Sequence, residues 1–380
     1  MMKIIRTSTV PGSLNNFCRG LLGDLQREEG YEVVAVSSPG DALDEVAERE
    51  GVKTYAVPMR RNISPLNDLK SLYHLIKVFK KERPDMVHSI TPKAGLLSMM
   101  AAWVCRVPVR IHTFTGLVFP TSTGLKKRIL MLTDRITCAC ATHIIPEGEG
   151  VKADLSRYKI TNKPLKVLGY GNIRGIDLKR FDPEIEEIKS PADALRKNDI
   201  FTFIFIGRLV GDKGVNELVA AFKKLNIEYP KSRLILVGRK EQNLDPLTSE
   251  TLAEIETNNS IEAVGEKNDV RPWLLASDAF VLSSYREGFP NVVIEAGAMG
   301  LPSIVTDING SREIIVHGVN GDIVPSKDSE ALYSAMKSFI ESPGKLEKYR
   351  SEARPLIEKR FEIGFVQGCL KDFYNKVQKK

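Results

Sequence analysis

The chain has 380 residues, of which 42% are hydrophobic, 27% charged and 7% aromatic, and its net charge is +7. That length points to two domains or three, and the composition excludes a disordered chain, collagen, a coiled coil and a small disulfide scaffold. The longest apolar run, residues 95–105, is about half of a membrane span, and the opening Met-Met-Lys-Ile-Ile-Arg lacks the apolar core of a secretory signal.

In chain order, short apolar runs at 3–6, 32–36, 53–57, 86–89, 110–113 and 143–145 read as strands. Helical periodicity fills 14–29, 42–50, 68–81, 94–105 and 125–138 between them. The second half repeats the theme, with strands at 201–206, 233–237, 260–264, 279–282 and 303–305 and a helix over 214–225. Such alternation, with strands apolar on both faces, predicts parallel α/β layers. A glycine-rich stretch, 168–177, and a charged, proline-punctuated one, 182–191, separate two halves. We expect domains over 1–174 and 175–364, with a helix over 365–380 able to pack back on the first.

The charge is uneven. Residues 1–175 carry 26 Lys/Arg against 16 Asp/Glu, and the remainder 29 against 32. A basic half attracts phosphates. Within it, Leu69, Leu72, Leu75, Ile76 and Phe79 share helical spacing with Lys70, Lys77, Lys80, Lys81 and Arg83 interleaved. That pattern suits a solvated surface helix or a contact with an anionic membrane. No zinc-finger or aromatic RNA-binding signature is present, so nucleic acid is not an expected partner. Five cysteines without a C-x-x-C pair argue against zinc or disulfides and for reduced thiols in a cytoplasmic protein.

Two stretches carry chemistry. Ile206-Gly207-Arg208-Leu209-Val210-Gly211-Asp212-Lys213-Gly214 follows a strand and opens a helix, which places two cations at an anion-ready helix start. It is neither a P-loop nor a dinucleotide fingerprint, and an ordinary charged loop fits the spacing equally well. Ser283-Ser284-Tyr285-Arg286-Glu287-Gly288-Phe289-Pro290-Asn291-Val292-Val293-Ile294-Glu295 also runs from strand to helix. There Glu287 sits on the loop and Glu295 about one turn into the helix, where carboxylates can accept sugar and ribose hydroxyls. Glu295 suits a helix-dipole role as well.

Taken together, G-R-L-x-x-x-K-G and, about eighty residues later, E-G-F-P-N-x-x-x-E resemble the pattern of glycosyltransferase family 4. The likeness extends over nearly the whole chain, through Pro11-Gly12-Ser13, 88–95, 110–116, 175–183 and 309–313. It is strongest to the branch that builds capsular, O-antigen and lipid-linked glycans. The resemblance implies two Rossmann-like domains with parallel sheets facing a central cleft, the GT-B architecture. It implies a retaining transferase that moves a sugar from a nucleotide-sugar, as a UDP-sugar, to a polyprenyl-diphosphate-linked acceptor at the inner face of the cytoplasmic membrane. It makes Arg208 and Lys213 the grip on the donor diphosphate, Glu287 the acid at the donor sugar and Glu295 the ribose ligand. Gly207, Gly288, Phe289, Pro290, Asn291 and Val292 would line the donor, and Gly12 would approach its phosphates. Pro290 stands where many members have Gly, which removes one N–H. Thr115 stands where many members have a histidine near the donor sugar. His112, on the opposite strand face, reads as a core residue, and His88 as a substrate contact. No metal or other cofactor is expected. A nucleotide-sugar 2-epimerase of the same architecture, or a nucleotide-sugar-binding protein without catalysis, are the other readings.

Overall fold

A computed structural model describes residues 1–60, 62, 64–241 and 245–378. It divides into two units, Met1–Gly175 with Gly364–Lys380, and Ile176–Ile363. The last two residues of the expected closing helix lie outside the described residues.

The first unit is built on β1 (Lys3–Thr7), β2 (Glu32–Ser37), β3 (Lys53–Ala56), β4 (Met86–Ile90), β5 (Val109–Phe114) and β6 (His143–Pro146). These pair in parallel in the order β3-β2-β1-β4-β5-β6. Its helices are α1 (Pro11–Phe17), α2 (Leu21–Arg27), α3 (Asp41–Glu50), α4 (Pro65–Glu82), α5 (Pro92–Val104), α6 (Gly124–Cys140) and α7 (Glu149–Arg157). Buried Val, Ile and Leu on both sheet faces make two separate cores, as parallel strands covered on both sides require.

The second unit repeats the plan with β7 (Phe201–Ile206), β8 (Ser232–Val237), β9 (Ile261–Gly265), β10 (Ala279–Leu282), β11 (Ser303–Thr306) and β12 (Gly321–Val324), in the order β12-β11-β10-β7-β8-β9. Its helices are α8 (Glu186–Leu195), α9 (Val215–Glu228), α10 (Ser249–Thr257), α11 (Arg271–Leu275), α12 (Asn291–Ala298), α13 (Ser311–Ile314), α14 (Ser329–Glu341) and α15 (Pro343–Phe361). The chain then returns as α16 (Ile363–Gln378), whose Leu370, Phe373, Tyr374 and Val377 enter the α1–α3 core of the first unit.

Three expectations change. The helix expected over 14–29 is two helices, because Gly20 turns left-handed at φ 75° between them. The stretch 182–191 is not all linker, since α8 begins at Glu186 and carries Pro191 inside it. On α4, Leu72, Leu75, Ile76 and Phe79 meet the core, whereas Leu69 stands out with Leu66 and Tyr73. Among the described residues no helix is long and apolar enough to cross a membrane.

Candidate active site

In the second sheet the strand order reverses between the neighbours β7 and β10. In open parallel sheets the loops leaving such a point form a binding crevice. Both chemistry-bearing stretches leave from here, 207–214 after β7 and 283–290 after β10.

The first loop is held down by the buried side chains of Leu209 and Val210, closes in a single turn over Gly211–Lys213, and enters α9 through Gly214. Gly214 has φ +67°, and a Cβ there would lie 1.9 Å from the Ser283 carbonyl oxygen. Only glycine lets the two loops meet this closely.

Side chains then stitch the loops together. Ser283 Oγ donates to the Lys213 carbonyl at 2.9 Å, and the Tyr285 N–H donates to the Asp212 carbonyl at 2.9 Å. The Arg286 guanidinium donates to Asp212 Oδ2 at 3.2 Å. At the centre Lys213 Nζ forms an ion pair with Glu287 Oε1, which also accepts from Ser284 Oγ at 3.0 Å. Ser284 is fixed in turn by Thr306, whose hydroxyl donates to its carbonyl at 2.5 Å. The residues after Glu287 are pressed from above by Gly310 (φ +78°), where a Cβ would sit 2.6 Å from Pro290 Cδ and 2.7 Å from the Gly288 carbonyl oxygen.

The structure therefore brings Lys213 and Glu287 into contact. Arg208 leans elsewhere, donating to Glu241 Oε2 at 2.8 Å with Asp212 at 4.0 Å. Phe289 is buried and its ring packs edge-on against Phe361 at 5.5 Å, so only its backbone faces the loop. Pro290 is the N-cap of α12, Asn291 and Val292 begin that helix, and the half-buried Glu295 lies one turn in. The start of α12, where Val293 N–H donates to the Pro290 carbonyl at 3.0 Å, presents the positive end of a helix dipole that suits anionic oxygens. Gly207 is tied to β8 through its N–H and the Val237 carbonyl, 2.9 Å apart.

In the first unit Gly12 lies exposed in the first turn of α1, with no atom within 4 Å of a Cβ placed there. Thr115, half-buried, follows the end of β5. His112 is a core residue: its ring lies over Gly95 of α5, its Nδ1 pairs with Ser89 Oγ at 2.8 Å, and burial lowers its pKa to about 3. His88, expected to touch substrate, is only 1% exposed. Its Nε2 faces Thr113 Oγ1 at 2.8 Å and its Nδ1 faces the Tyr374 hydroxyl at 2.6 Å, beside the buried Arg6. Burial first, then the nearby Arg6 charge, pushes its pKa well below the usual value. Both ring nitrogens are engaged in a closed cluster, and we correct that assignment to a structural one.

Sequence reasoning missed three residues of the second unit. Glu241 holds Arg208, Thr306 holds Ser284, and Glu217 accepts from the Tyr285 hydroxyl at 2.6 Å. The signal for Tyr285 was present, inside the second motif; the other three lie outside both motifs.

Comparison with known proteins agrees with this layout. Residues 15–171 match the family model "Glycosyl transferase 4-like domain", and residues 186–355 match "Glycosyl transferases group 1". The chain is 31% identical over 374 residues to the capsular polysaccharide biosynthesis glycosyltransferase CapM of Staphylococcus aureus, covering 98% of this chain and 97% of that one. It is 29% identical over 319 residues to the UDP-Gal:alpha-D-GlcNAc-diphosphoundecaprenol alpha-1,3-galactosyltransferase of Escherichia coli, covering 82% and 81%. Among solved structures, Anabaena HepE in complex with UDP superposes with a TM-score of 0.81 at 18% identity, over 99% of this chain and 100% of that one. With a glycosyltransferase model matched on each half and CapM matched along nearly the full length, the chain is a glycosyltransferase of family 4 with the GT-B fold.

Proposed function

We propose that this enzyme moves a sugar, with retention of anomeric configuration, from a UDP-sugar to a polyprenyl-diphosphate-linked glycan. The observation that carries this reading is the Lys213–Glu287 pair, an ammonium and a carboxylate held in one place by two loops at the sheet's switch point. A donor has a diphosphate to meet the ammonium and, on the sugar attached to it, hydroxyls to meet the carboxylate. The acceptor class rests on the relatives: the Escherichia coli enzyme is named for a diphosphoundecaprenol acceptor and a UDP-sugar donor.

On this reading the acceptor oxygen attacks the anomeric carbon from the face the leaving group departs. The C–O bond to the diphosphate breaks as the new C–O bond forms, and the acceptor proton passes to a β-phosphate oxygen of the departing UDP. Lys213 and Arg208 stabilise the charge that grows there. These cations do the work a divalent ion does elsewhere, so we propose that the reaction needs no resident metal, and chelation with EDTA should leave turnover unchanged.

Lys213→Ala should lower turnover by about 10²–10³ while the melting temperature of the protein stays close to wild type. Near-normal turnover in that variant overturns the site. The donor is identified by a thermal-shift panel of UDP-, GDP- and ADP-sugars, in which the true ligand at 100 times its Kd adds about 2.7 kcal/mol. Release of UDP that depends on acceptor separates transfer from epimerisation.

The basic first unit is the proposed contact with an anionic membrane at the cytoplasmic face. Leu66, Leu69 and Tyr73 stand 77%, 63% and 56% exposed on α4, with Lys77 over the Tyr73 ring. Binding to phosphatidylglycerol vesicles should weaken sharply with added salt. Salt-insensitive binding, or none, points to an acceptor met in solution.

A further inference from the structure

The loop 283–290 has one attachment that the chemistry above does not use. We infer that the Tyr285 hydroxyl, anchored on Glu217, positions Glu287 for the donor sugar without itself touching substrate. This rests on the reading that Lys213 and Glu287 hold the donor.

Glu217 lies in the first turn of α9, three residues after Gly214, so its backbone is fixed by the same close approach that joins the two loops. Its Oε1 accepts from the Tyr285 hydroxyl at 2.6 Å. Its Oε2 is buried with no partner among the described residues. A buried carboxylate oxygen left unpaired is unfavourable, so the pair is poorly explained as a stabilising contact. Lys327 lies over the Tyr285 ring at 4.7 Å and holds its plane. Burial, and then the Glu217 carboxylate, raises the pKa of the phenol, which therefore remains a donor at working pH.

Position in the chain gives the pair its effect. Tyr285 is two residues before Glu287, and between them Arg286 points out to Asp212. With residue 285 anchored at side chain and backbone, the loop turns back and delivers Glu287 to Ser284 and Lys213. Removing the hydroxyl loosens the side of the loop that carries Glu287. It leaves intact the Ser283–Lys213 bond and the closed turn that carry the diphosphate grip. The expected defect is selective: sugar recognition suffers and nucleotide recognition does not.

The test is a double-mutant cycle on the full chain, with UDP and the UDP-sugars glucose, galactose and N-acetylglucosamine as probes, read by calorimetry and turnover. In Tyr285→Phe, UDP affinity should stay within about twofold of wild type. The extra affinity of the accepted UDP-sugar over UDP should disappear, and kcat should fall by about tenfold or more from misplacement of one group. Glu217→Ala should match it, the double variant should be no worse than either, and Glu217→Gln, which still accepts a hydrogen bond, should recover most of the loss. A silent Tyr285→Phe overturns the inference. So does one that loses UDP and UDP-sugar affinity equally together with thermal stability. Lys213→Ala run alongside separates the two claims: if it too is silent, the site itself is wrong; if it abolishes turnover while Tyr285→Phe is silent, only the positioning role is wrong.

Discussion

On the proposed mechanism, Arg208 is already engaged when the donor arrives. Its guanidinium holds Glu241, which also lies 3.4 Å from Arg239, so an incoming diphosphate competes with a carboxylate for it. Arg208 is 42% exposed and Glu241 23%, and pairs exposed to that degree contribute roughly 0.2–1 kcal/mol. Glu241→Gln should therefore tighten UDP binding by about 1.4- to fivefold, as read by calorimetry; unchanged or weaker binding shows that Glu241 is no competitor. The two cations and Glu287 were legible in the sequence only as a pair of motifs about eighty residues apart, each of which alone fits an ordinary charged loop. Glu241 and Glu217 were not. They lie 33 and 68 residues from the side chains they hold, and their proximity exists only because neighbouring strands bring their loops together. His88 differs in the opposite direction: the sequence reads it as a substrate contact, but Tyr374, which closes over its ring, arrives from 286 residues away.

Among the elements, the start of α9 carries a tight constraint. Gly214→Ala adds a Cβ that collides with backbone and must also adopt a left-handed φ. Both effects push the 207–214 loop away from 283–290. We expect the second unit to lose about 2–4 kcal/mol, measured by urea unfolding, and UDP affinity to fall even where the protein remains folded. A variant that retains both refutes the close approach as the organising contact. The strands read well from sequence because most of the apolar runs are buried on both faces, and eleven of the twelve runs were identified, β12 being the exception. That edge strand, Gly321–Val324, has four residues and begins with glycine, so its pairing with β11 decides it more than its composition. The break between α1 and α2 was hidden because the apolar spacing of Leu14, Leu21, Leu22 and Leu25 continues across it. Pro191 similarly argued for a linker, yet Ile188 and Ala192 are buried, Ile188 in a core of the second unit, and draw the segment into a helix.

At the scale of the molecule, acid acts through the first unit. His88 and His112 are buried there and held neutral, with pKa values lowered from about 6.5, to about 3 for His112. The unfolded chain takes up protons on both imidazoles below pH 6.5 and the folded one does not, so stability falls as pH drops from there. The slope should approach roughly 1.4 kcal/mol per pH unit for each histidine, offset by about one histidine's share from Asp134 on α6, whose carboxyl is pushed up to about 7 by burial, and His112→Gln should remove one histidine's share. An unfolding free energy flat between pH 6.5 and 4.5 contradicts the burial of both. The second unit holds one histidine, the exposed His317, and its transition should respond far less.

The return of α16 to the first unit has a consequence for biosynthesis. Leu370, Phe373 and Tyr374 complete a core whose other walls are translated before residue 170. The second unit, which ends at Ile363, is synthesised in full before the first gains that side. Domains usually mature in the order in which they are made. Here the earlier-made domain cannot finish first: its core waits for α16, which is synthesised only after every strand and helix of the second unit.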